Sequence, residues 1–217
     1  MGCVPEQVRH ERQLRLGPAL GGGSDFDEGY NVCVDNFQNA YVDGYFRGSG
    51  AVDFDPDPVD IENHSVVGGS DMFLSKFDAT GDFVWANTWG GPNSDRGDGI
   101  AVDDTWLVYV TGHFEDTVDF DPGGGDSHTS NGFMDAFLSK FDKNGNYEWT
   151  RSWGGGDNDE GYGTAIDSHG NVYVTGYFSN TVDFAPTDPP CNENPDVHDS
   201  NGNLDVFLTR YLPDGCW

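Results

Sequence analysis

The chain has 217 residues, with 38 acidic against 10 basic side chains and a formal net charge of −28. Thirty of the acids are aspartate and eight are glutamate; with 31 glycines this is turn chemistry rather than helix chemistry. Such a charge repels nucleic acid and anionic membrane surfaces, no apolar run approaches the ~18 residues of a membrane helix, and 14% aromatic residues argue against disorder.

In chain order, residues 1–20 come first. They lack the continuous apolar stretch of a secretory signal and carry Arg9, Arg12 and Arg15. Met1-Gly2-Cys3 is not a myristoylation start, because Glu6 stands where serine or threonine is needed. Any export signal is therefore expected outside this chain, or the protein is not exported. Residues 7–20 align with the outer strand of the repeat described next, in degenerate form, with Leu20 at a tryptophan position.

From residue 21 onward one unit recurs about three times, at 21–89, 90–153 and 154–217. Val52-Asp53-Phe54-Asp55-Pro56 returns as Val118-Asp119-Phe120-Asp121-Pro122 and as Val182-Asp183-Phe184-Ala185-Pro186, at spacings of 66 and 64 residues. The run 71–78 reappears at 135–142 and, more loosely, at 205–211. Gly44-Tyr45-Phe46, Gly112-His113-Phe114 and Gly176-Tyr177-Phe178 share one register, as do Trp89-Gly90-Gly91 and Trp153-Gly154-Gly155. A fixed period of this size marks a repeat architecture.

Each unit reads as strands. In the third copy, 163–167 and 172–178 flank a Gly170-Asn171 turn; in the second, 137–141 turns at Asp142-Lys143-Asn144-Gly145 into 147–153. Val172, Val174 and Phe178 alternate with Tyr173, Thr175 and Tyr177, and neither face suits water, so each sheet is expected to be covered on both sides. Tyr147, Trp149 and Trp153 alternate with Glu148, Thr150 and Ser152, the one-sided pattern of an outermost strand. The chain is thus expected to be all-β, with four-stranded antiparallel β-propeller-type blades, the last lacking its own outer strand. A plain sandwich is the fallback. Three blades are too few for a ring of 4 to 8. A fragment of a longer protein is therefore the first expectation, with a two-chain ring of six blades and a short open array as alternatives.

The strings Asp135-Ala136-Phe137-Leu138-Ser139-Lys140-Phe141-Asp142, then Gly145-Asn146, Trp149 and Trp153-Gly154-Gly155, resemble the SBBP (seven-bladed β-propeller) repeat family. So do Gly161-Tyr162-Gly163, Ala165-Ile166-Asp167 and Gly170-Asn171-Val172-Tyr173-Val174-Thr175-Gly176. The resemblance spans about residues 20–216. It implies a bacterial, usually exported propeller without established catalytic residues, and hence an extracellular or cell-surface location. This chain departs from it in holding about three units and in long acidic linkers between the second and third strands.

Those linkers and the connections between units lie at one end of the sheets, so their carboxylates are expected to gather on one rim. Asp53, Asp55, Asp119, Asp121, Asp183 and Asp159 are the candidate Ca²⁺ ligands; Ca²⁺ needs 6 to 8 oxygens, no complete calcium loop is present, and Ala185 removes one carboxylate from the third copy. Hydrated structural acid is the competing expectation, and halophilic adaptation would explain the charge without a ligand. His64, His128 and His198 each precede the same aspartate by seven residues and read as packing or surface groups; His113 reads as a tolerated substitution for tyrosine. Cys33, at a position held by Ala101 and Ala165, is expected to be an inert thiol. Cys191 and Cys216 are expected at opposite ends of a strand, roughly 20 Å apart and beyond disulfide reach, with Cys3–Cys216 less excluded. No nucleophile elbow, zinc-protease helix motif or phosphate loop occurs. The expected function is a non-enzymatic binding or structural scaffold with an unknown protein or glycan ligand, no nucleic acid, no membrane insertion and self-association as an option. A polysaccharide hydrolase or lyase and a calcium-binding adhesion module are the alternatives.

Overall fold

A computed structural model of the chain describes residues 26–217 apart from 58, 186–190 and 192–193; the expected strand at 7–20 lies outside the described residues. Every element there is a strand. The first sheet has the order β1 (Glu28–Val34), β2 (Ala40–Phe46), β5 (Asp71–Phe77), β6 (Phe83–Trp89), and a short ribbon pairs β3 (Ala51–Asp53) with β4 (Asn63–Ser65). The second sheet runs β7 (Arg96–Val102), β8 (Val108–Asp119), β9 (Ser127–Phe141), β10 (Tyr147–Trp153). The third runs β11 (Glu160–Ile166), β12 (Val172–Phe178), β15 (Asp205–Tyr211), with a ribbon of β13 (Thr181–Asp183) and β14 (Val197–Asp199). All three sheets are antiparallel with matching registers: Gly44 faces Phe73, Gly112 faces Phe137 and Gly176 faces Phe207.

The described parts of the linkers between second and third strands hold more strand than the sequence suggests. In the middle unit they extend β8 and β9 outright, and in the others they form the ribbons, with Val52, Val118 and Val182 opposite His64, His128 and His198. Phe54, Phe120 and Phe184 then fold back onto Phe73, Phe137 and Phe207, at ring separations of 5.2, 5.0 and 5.4 Å. Each histidine packs against its own copy of that phenylalanine.

The core lies between sheets. Tyr41, Met72, Leu74 and Trp89 of the first sheet pack against Val108, Val110, Phe114, Phe137 and Phe141 of the second. The alternate residues Tyr109, Ala136 and Leu138, with Trp153, pack against Val172, Val174, Phe207 and Tyr211 of the third. Two-residue periodicity thus supplies two apolar faces from one sheet, and burying each large side chain contributes about 1.5–3 kcal/mol. The middle sheet is covered on both sides, as expected. The third is not: Val206 and Leu208 of β15 are 79% and 73% exposed.

Stacking is fixed by turns as well as by apolar faces. The β9–β10 turn sits on the first sheet: Lys143 O accepts from Lys76 Nζ (2.8 Å) and Trp85 Nε1 (3.3 Å), and Gly145 O from Asn87 Nδ2 (2.6 Å). The turn after β15 sits likewise on the second, with Pro213 O accepting from Lys140 Nζ and Gly215 O from Arg151 Nε. Gly145 has φ +83°, and a Cβ there would lie 3.1 Å from the Trp85 ring.

Two further expectations need correction. The alternation in β10 does not leave one face in water: Thr150 is fully buried and shares a 2.7 Å hydrogen bond with Ser139, because it lies on the face of the sheet that carries Phe137 and Phe141 against the first sheet. Cys191 and Cys216 form a disulfide with a Cα–Cα distance of 5.3 Å. The expectation pinned Cys191 to the strand end, but it lies seven positions beyond Phe184. Extended chain of that length reaches about 23 Å, enough to return to the turn after β15.

Candidate functional site

Most of the aspartate excess is structural at the atomic level. Asp35, Asp103 and Asp167 in one set of hairpin turns, and Asp78 and Asp142 in the other, each accept through Oδ1 from the backbone N–H groups two and four residues on. The Asn171 amide donated to Asp167 holds that carboxyl down at about 2. Asp53, Asp119 and Asp183 staple the linkers: Oδ1 of each accepts from the residue two ahead and from Glu62, Asp126 or Asp196 across the ribbon. Asp55 and Asp121 accept from Asp57 and Gly123. Asp159 is fully buried, accepting from Gly155 N (2.6 Å) and Ser179 N (2.8 Å). Five of the six Ca²⁺ candidates are thereby spread over the three separate linkers, and Asp159 lies in the connection between β10 and β11. Among the described residues they do not form a group of three ligand atoms within 4.8 Å.

A different set of residues does. β7 is the inner edge strand of the middle sheet and lies between β1 and β11. Glycine permits the approach: a Cβ on Gly99 would stand 2.8 Å from Tyr162 O, and one on Gly161 would stand 2.3 Å from Thr111 Oγ1. In this seam Asp98, His113 and Glu160 place ligand atoms within 4.8 Å of one another. His113 Nδ1 is 3.2 Å from Asp98 Oδ2 and 3.6 Å from Glu160 Oε2, with side chains 6%, 4% and 11% exposed. Arg96 Nε lies 2.7 Å from Asp98 Oδ1, and its guanidinium sits over the Tyr30 ring. Tyr177 donates its hydroxyl to Glu160 Oε1 at 2.6 Å. The flanking Tyr162 hydroxyl is pushed up to about 12, first by burial and then by its hydrogen bond to Glu160.

The three repeats are not equivalent here. Where the first and third carry Glu28-Gly29-Tyr30 with Tyr45, and Glu160-Gly161-Tyr162 with Tyr177, the second carries Arg96-Gly97-Asp98 with His113. Tyr30 stacks with Tyr45 at 5.8 Å, and Tyr162 packs against Tyr177 at 5.7 Å with the rings tilted by 54°. The signal was present in the sequence as three departures in one repeat. His113 alone reads as a tolerated substitution; His113 with Arg96 and Asp98 is an exchange of the whole seam.

Buried carboxyls line the same end of the sheets. Asp43 is fully buried beside Asp98, and burial first, then that neighbouring charge, push its carboxyl up to about 8. Burial raises Asp95 to about 6 and Asp135 to about 7. Cys33 is a free thiol pushed up to about 12 by burial and by Asp43 and Asp35, which makes it a poor nucleophile.

Repeated antiparallel sheets stacked face to face, each clipped by the turn of its successor, define an all-β repeat protein. Residues 148–177, from within β10 to within β12, match the family model of the SBBP beta-propeller repeat, so the resemblance drawn from the motifs holds over that segment. A 158-residue alignment is 28% identical to the regulatory protein FlaEY of Caulobacter vibrioides, covering 72% of this chain and 15% of that one. A second alignment, over 217 residues, is 24% identical to an uncharacterized WD repeat-containing protein of Acanthamoeba polyphaga mimivirus, covering 88% of this chain and 15% of that one. The chain spans about 15% of the length of the curated relatives it matches.

Proposed function

We propose that each sheet is one blade of a β-propeller, divided at 21–89, 90–153 and 154–217, and that the chain is a non-enzymatic scaffold segment. It would serve an exported or surface bacterial protein as a rigid binding module for a protein or glycan partner. The observation that carries this reading is that turns and aromatic faces repeat with one register from sheet to sheet, while the acidic linkers ride on that frame as ordered ribbons. The names of the relatives, one regulatory and one WD-repeat, fit an interaction role. Among the described residues, the seam at which the second repeat departs from the other two is too deeply buried to receive a polysaccharide, which favours the scaffold over a hydrolase or lyase. Electron microscopy of the whole protein from which the chain comes tests the blade assignment: ring-shaped particles support it, and extended rods overturn it in favour of an open array. Release of reducing sugar from polysaccharide, lost in Glu160→Gln, would overturn the non-enzymatic part.

A further inference from the structure

The seam between the second and third sheets holds more than an ion pair. His113 Nδ1 and Asp98 Oδ2 are both buried, and neither finds a hydrogen-bond partner although they lie 3.2 Å apart. Both point at Glu160 Oε2, which is 3.6 Å from the imidazole nitrogen. Two ligand atoms held about 2.1 Å from a tetrahedral cation stand roughly 3.4 Å apart, so the observed separations bracket the one a metal needs. The second oxygen of each carboxylate is already engaged: Asp98 Oδ1 faces Arg96 Nε at 2.7 Å, and Glu160 Oε1 accepts from the Tyr177 hydroxyl. Partners of this kind orient ligands in metal sites. Packing alone does not require Asp98 and His113, because the other two repeats place tyrosine at both positions.

The geometry points to a binding site for a divalent transition-metal cation of the zinc type, held by Asp98 Oδ2, His113 Nδ1 and Glu160 Oε2 and completed by water. One imidazole and two carboxylates suit such a cation, whereas Ca²⁺ asks for 6 to 8 oxygens. The cation would tie β7 and β8 to β11 and offset the negative charge that Arg96 only partly neutralises. This site stands on its own geometry and does not rest on the scaffold reading.

The chain, stripped with a chelator, is titrated with Zn²⁺ against a chromophoric competitor, with Ca²⁺ in a parallel arm. One Zn²⁺ per chain is expected, with Ca²⁺ failing to compete for it. Co²⁺ loaded in its place should show visible absorption. His113→Tyr, which installs the residue of the flanking repeats, should abolish both signals. Tyr177→Phe should weaken binding about 10- to 100-fold, as loss of an outer-sphere partner does. Should His113→Tyr fail to fold, the near-isosteric Glu160→Gln provides the same comparison. Absence of Zn²⁺ binding at micromolar concentration, or Zn²⁺ bound equally well by His113→Tyr or Glu160→Gln, would overturn the assignment and leave an ion-pair network only.

Discussion

Asp43 allows a sharp test of how the repeats substitute for one another. Its counterparts are Thr111 and Thr175, whose hydroxyls donate to Phe137 O (2.6 Å) and Phe207 O (2.8 Å) on the third strand of their sheets. Asp43 occupies the same register beside Phe73. A carboxyl raised to about 8 is neutral at pH 7 and carries one O–H, so it can stand in for the threonine hydroxyl. The folded state then keeps a proton that the unfolded chain releases near its ordinary value of 3.8. Stability from this group is complete below about pH 4, falls as pH rises towards 8, and changes no further above it. Each unit of the window is worth about 1.4 kcal/mol, which sets an upper limit of about 6 kcal/mol, and relaxation around the charge lowers the expected loss to about 3–5 kcal/mol. Asp43→Thr should remove that loss. Urea unfolding followed by tryptophan fluorescence, in chelator, at intervals from pH 5 to 9, reads the difference between variant and wild type; Asp95 and Asp135 titrate in both and cancel. The variant should gain on the wild type steadily between pH 5 and 8. Parallel curves, or a variant less stable at pH 8.5, would refute the argument.

Further outcomes follow from features described above. Gly145→Ala forces a side chain into φ +83° and against Trp85, and should lower stability by about 1–2 kcal/mol in the same urea assay. Trp153→Ala, at a side chain only 2% exposed and packed on Tyr211, should cost about 3–5 kcal/mol and lower the thermal midpoint accordingly. Replacing Cys191 and Cys216 by serine opens a link across 25 residues and should cost about 3 kcal/mol, with the wild type in reductant melting alongside the variant.

The period, the hairpins and the two-faced strands were legible because each rests on local rules: glycine and asparagine at turns, and alternation along a strand. The deeply buried Thr150 was not, because its neighbour across the stack comes from a different repeat and leaves no local trace. The ribbons were hidden for a related reason. Aspartate and proline read as loop, yet Asp53, Asp119 and Asp183 serve there as acceptors that hold the ribbon closed. The disulfide was misplaced because a long linker has more reach than its position in the topology suggests. At the polar seam the informative residues are Arg96, Asp98 and His113, at which one copy departs from what the other two share.

The hydrogen bonds from Lys76, Trp85 and Asn87 to the β9–β10 turn run in one direction along the chain. A sheet emerging from the ribosome therefore leaves its outer tryptophans uncapped until the following hairpin has been synthesised. On this geometry each newly made unit would close its predecessor, and a pause in translation between units would hold the nascent protein with one aromatic face open to chaperones.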